Sequence, residues 1–122
     1  MSSYVVWIDH EKAKLFKMLA PGHIEGKKLE KKEILHHNHN DKEKHKNSDK
    51  FFHDVATELK DASELLLIGP GLGKEHFKHH LEKHHHERLA KFVVGMISVD
   101  HPSENEILAQ ARKFFKKYDA FQ

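Results

Sequence analysis

Fourteen histidines and no cysteine occur in this 122-residue chain, so any chemistry it performs rests on imidazole, carboxylate, hydroxyl and lysine groups. Thiolate zinc, disulfide scaffolding and thiol nucleophiles are excluded together. The densest stretch is HHNHNDKEKHKNSDKFFH, residues 36–53, with five histidines and four lysines in eighteen positions. Two chemistries suit it. Imidazoles bind zinc, nickel or copper when three of them converge on one ion. His36, His37 and His39 stand too close in sequence to converge, although His45 and His53 could join them if the loop folds back. Further on, His76/His80 and His80/His84 have the i,i+4 spacing that sets two rings on one helix face. His80 and His84 fall at the border of the stripe made by Phe77 and Leu81, while His79 and His86 point to solvent. With no HExxH pattern, no resident metal and no cofactor are expected.

The second chemistry is phosphate binding. Lys42, Lys44, Lys46 and Lys50 alternate with His and Asn, and His36, His37, His39 and His45 offer rings that stack on bases. Asp41, Glu43 and Asp49 dilute the field. From Lys27 to Lys50, eight lysines face five acids, whereas the whole chain carries a formal charge of only +2. Polyanion binding is therefore expected to be local, and to strengthen as histidines protonate. The plain alternative is a solvated loop.

Two other features invite chemistry. LLLIGPGLGKEHF, residues 65–77, puts glycines between an apolar run and a helical pattern, where backbone N–H groups can hold an anion. A Walker A loop fails because Ile68 stands at its first glycine and Glu75 at its hydroxyl position; the dinucleotide fingerprint fails at Lys74. A tight strand-to-helix turn is the expectation, with anion binding by Gly71, Gly73 and Lys74 as the alternative. Asp9 ends the first strand, where a two-metal nuclease would place a carboxylate, but Gly69-Pro70 supplies no partner, and Asp54, Glu58 and Asp100 carry no motif. His10 and His101 lack a serine in an elbow motif. No catalytic residue is expected.

The elements that position these residues follow from periodicity. YVVWID (4–9) reads as a strand, Asp9–Lys12 as a turn and AKLFKML (13–19) as a second strand. Pro21-Gly22 turns the chain into a lysine-rich third strand within 24–35, a charged edge. Ser48 reads as an N-cap, and Phe51, Phe52, Val55, Ala56 and Leu59 predict a helix over 49–60. ELLLIG (64–69) is a buried strand, 73–85 a helix, and KFVVGMISVD (91–100) a fifth strand. Ser103–Glu106 is a capping box opening a last helix that buries Ile107, Leu108, Ala111, Phe114, Phe115 and Tyr118. The order β-β-β-α-β-α-β-α predicts an α/β fold, one mixed five-stranded sheet with three helices, as a single domain over 1–122 with a His/Lys-rich loop at about 36–48.

Three collinear stretches carry a family resemblance: VVWIDHEKAKLFKM, GPGLGKEHF and SVDHPSENEILAQARKFF. Together they resemble the middle domain of the archaeal and eukaryotic peptide-chain release factors and Pelota, and more closely the small bacterial translational machinery components. That resemblance implies a mixed sheet related to the ribonuclease H-like and ribosomal-protein folds. In the release factors, the connection before the first long helix carries Gly-Gly-Gln, which promotes hydrolysis of peptidyl-tRNA. Here that connection, 36–48, contains neither glycine nor glutamine, so the resemblance implies ribosome association without ester hydrolysis. The resemblance spans nearly the full 122 residues and concerns only the middle domain of those factors.

The expectation is a non-enzymatic translation-associated domain, contacting ribosomal or transfer RNA through His36, His37, His39, Lys42, Lys44, His45, Lys46 and Lys50. A homodimer or protein-interaction module is the first alternative, a histidine-based metal binder the second. No apolar run nears the ~20 residues of a membrane span, and MSSYVVWIDHEK lacks a signal-peptide pattern. A cytoplasmic protein without a small-molecule substrate is expected.

Overall fold

The computed structural model describes residues 2–18, 30–35, 44–84, 86–100 and 102–120. Three strands open the chain: β1 (Ser2–Ile8), β2 (Lys12–Met18) and β3 (Glu30–Leu35). Helix α1 (Lys44–Thr57), strand β4 (Ala62–Gly69), helices α2 (Gly73–His84) and α3 (His86–Lys91), strand β5 (Val93–Ser98) and helix α4 (Glu104–Ala120) follow. All five strands form one sheet in the order β3-β2-β1-β4-β5. The first three make an antiparallel meander, and β4 and β5 run parallel to β1. The fold is the α/β mixed sheet that the strand and helix order implied.

Side-chain alternation divides the core into two layers. Tyr4, Val6 and Ile8 of β1 share one face with Ala13, Leu15, Leu65 and Leu67, where Phe51, Val55, Phe77 and Leu81 of α1 and α2 cover them. Val5, Trp7, Phe16, Leu66 and Ile68 line the other face, covered by Ile107, Ala111 and Phe115 at successive turns of α4. Strands β1 and β4, sandwiched between these layers, are therefore apolar on both faces, which is why their sequences read as continuous runs. On β3, Lys32, Glu33 and Leu35 are exposed, while Ile34 packs on the α1 layer, as a charged edge strand should. Among the described residues, no helix is long and apolar enough to cross a membrane.

The capping box is present: the Glu106 amide donates to Ser103 Oγ at 3.2 Å, and the Ser103 amide donates to Glu106 Oε1 at 3.4 Å. Two expectations need correction. Helix α1 begins at Lys44, so Ser48 lies inside it and is not its N-cap. Its apolar stripe starts only at Phe51, and the lysines before it are good helix formers that hydrophobic periodicity cannot register. A fourth helix, α3, also intervenes before β5 and shortens that strand at its start. It is a single polar turn and a half anchored by Leu89, too short for a periodic signal. The turn at Pro21-Gly22 and the first half of the expected third strand lie outside the described residues.

Candidate functional site

The glycine turn after β4 fits against the end of β1 with no space to spare. Gly69 has φ +149°, and a Cβ there would lie 2.2 Å from the Ile8 carbonyl oxygen. Gly71, at φ +57°, takes the left-handed conformation of the turn. A Cβ on Gly73, at the start of α2, would come 3.2 Å from Asp9 Cα. Lys74 turns inward, only 2% exposed, and its ammonium donates to the Gly71 carbonyl oxygen at 2.7 Å. Gly69 and Gly73 thus fit the turn closely against the end of β1, while Gly71 is exposed and supplies the carbonyl that accepts from the Lys74 ammonium.

Asp9 sits beside that turn, but its carboxylate is occupied locally. Oδ1 accepts from the Glu11 amide at 2.8 Å and from the Lys12 amide at 2.9 Å, closing the β1–β2 hairpin. Glu58 Oε1 instead pairs with Lys32 Nζ at 2.6 Å, and the Asp100 carbonyl accepts from Trp7 Nε1 at 3.3 Å. Asp54 is exposed on α1. Among the described residues, no carboxylates gather around Asp9 as two-metal chemistry would require. The His10 and His76 rings do meet at this edge of the sheet, 6.0 Å between centroids.

The residues expected to touch RNA divide between two situations. His36, His37, His39 and Lys42 lie outside the described residues. Lys44, His45 and Lys46 form the first turn of α1, and Lys50 is exposed one turn further on. Four of the eight are therefore carried by a helix packed on the sheet, rather than by a free loop. That first turn contains no acidic residue.

The same stretch of α1 contributes to a cluster that the sequence did not reveal. Asp49 Oδ1 lies 3.5 Å from His80 Nδ1 on α2, and the His84 ring stands 4.8 Å from the His80 ring. One donor atom from each of Asp49, His80 and His84 lies within 4.8 Å of the others. His80 is buried against Phe52, whereas Asp49 and His84 are exposed. The i,i+4 histidines were visible in the sequence, but the carboxylate comes from another helix 31 positions earlier. A possible signal was Phe52 following Asp49 by three: burying Phe52 beside Phe77 aligns the two helices, and with them the donors.

No family model matches the chain, and no curated protein matches its sequence. Solved structures do resemble it. The Pelota protein of Thermoplasma acidophilum superposes with a TM-score of 0.58 at 14% identity, over 86% of this chain and 30% of that one. Pelota of Archaeoglobus fulgidus gives 0.59 at 18% identity, over 98% of this chain and 37% of that one. The archaeal translation termination factor aRF1 gives 0.55 at 14%, over 98% and 40%. The chain thus spans between 30% and 40% of the length of these proteins, and at such identities the likeness is one of fold.

Proposed function

We propose that this chain is a non-catalytic, cytoplasmic, translation-associated domain that binds ribosomal or other structured RNA through residues 36–50. The observation that carries the proposal is the fold. A sheet and its helices, matched over nearly the whole chain, are shared with a translation termination factor and with two Pelota proteins. Electrostatics supports the location. Lys44, His45 and Lys46 occupy the first turn of α1, at the positive end of its dipole, and Lys50 follows one turn on. A phosphate placed there is favoured by the helix dipole, and its binding by lysines releases counterions. The absence of Gly-Gly-Gln from the preceding connection supports binding without hydrolysis.

Lys42→Glu/Lys44→Glu/Lys46→Glu tests the location directly. Anisotropy titration of a structured ribosomal RNA fragment across a salt series should show weaker binding, with the salt slope reduced by about 3, roughly one per lost phosphate contact. An unchanged affinity and slope would end this reading. A second reading, self-association by strand addition, draws on β3: among the described residues it pairs only with β2, and Leu35 is 52% exposed. Sedimentation velocity separates the two, since this alternative requires a concentration-dependent dimer.

A further inference from the structure

RNA contact makes no use of the cluster formed by Asp49, His80 and His84. We propose that these three side chains bind a divalent transition-metal ion of the zinc class, clamping the front of α1 to α2. His80 and His84 stand one turn apart on α2, and their ring centroids are 4.8 Å apart. Asp49 approaches from α1 with Oδ1 3.5 Å from His80 Nδ1. Tetrahedral zinc with bonds of about 2.0–2.1 Å to nitrogen and oxygen sets its donors about 3.4 Å apart. The donors here already lie within 4.8 Å of one another, so the widest gap closes by at most about 1.4 Å.

That closure falls on the side chains able to make it. The Asp49 side chain is 70% exposed and that of His80 only 6%. Packing against Phe52, 5.4 Å between ring centroids, fixes the His80 ring, while His84 is exposed beside it. One ligand is thus set by the core and two reach solvent, which gives an ion a way in and leaves the remaining coordination position to water. Two imidazoles and one carboxylate suit zinc, nickel or copper, and are wrong for magnesium or calcium, which take oxygen ligands. A shared cation would engage all three groups. The proposal does not depend on RNA binding.

Calorimetric titration with zinc chloride tests it on three proteins: the wild-type chain, Asp49→Ala/His84→Ala, and His36→Ala/His37→Ala/His39→Ala. Both substitutions in the second variant are at exposed positions and leave His80 in the core. The wild type and the triple variant should each bind one ion per chain, and the double variant should bind at least about tenfold more weakly. Cobalt(II) should give the visible bands of a low-coordinate site in the first two proteins only. Zinc affinity should also fall on acidification, because protons compete for the imidazoles, the opposite of the trend expected for RNA. Absence of stoichiometric zinc binding by the wild type overturns the proposal. So does a double variant that binds as tightly as wild type, or loss of the ion in the triple variant.

Discussion

Replacing Gly69 by alanine probes the contact that holds the two central strands in register. The new methyl would lie 2.2 Å from the Ile8 carbonyl oxygen and 3.2 Å from its carbon, both backbone atoms that no rotamer change can move. Reaching an ordinary separation of about 3.5 Å means parting β1 and β4 by more than about 1 Å. Overpacking of this kind costs about 1–3 kcal/mol, and holding alanine at φ +149° adds about 1–3 kcal/mol. A total of about 4 kcal/mol is a large share of the roughly 6–18 kcal/mol expected for 122 residues. With an unfolding entropy of about 2.1 cal/mol/K per residue, it lowers the melting temperature by about 15 °C. Gly71→Ala is the control, because φ is +57° but nothing lies within 4 Å of its Cβ. It should cost about 1 kcal/mol, or about 4 °C. Thermal and urea unfolding followed by circular dichroism measures both variants. If Gly69→Ala melts no lower than Gly71→Ala, the close approach of turn and strand is refuted.

Removing the hairpin acceptor with Asp9→Ala should cost about 1–2 kcal/mol by removing the hydrogen bonds from the Glu11 and Lys12 amides. Asp9→Asn, which keeps an acceptor oxygen, should recover most of that loss in the same unfolding assay. Ser103→Ala should cost about 1 kcal/mol and speed hydrogen exchange of the Glu106 amide, while leaving amides in β1 and β4 protected. Equal exchange in both proteins would show that the capping box does not hold the start of α4.

Much of the fold was legible because its core obeys simple periodicities. Val5 and Trp7 alternate with Tyr4, Val6 and Ile8, and Ile107, Ala111 and Phe115 recur every four residues on α4. The front of α1 was not legible, since Lys44–Asp49 precede the apolar stripe and composition alone makes them resemble a loop. The inward turn of Lys74 was not legible for a related reason. Lysine is normally solvated, and only the close packing of the turn on Asp9 shows why this one folds back onto Gly71. The cluster of Asp49 with His80 and His84 depends on how two helices dock, which the spacing of Asp49 and Phe52 hints at but does not fix.

Ribosome co-sedimentation of the tagless chain tests the proposed function most directly. The account predicts that wild-type protein pellets with ribosomes at low salt, is released as salt rises, and remains in the supernatant when Lys42, Lys44 and Lys46 are replaced by glutamate. Protein that stays in the supernatant at every salt concentration, or a triple variant that pellets like wild type, would contradict it.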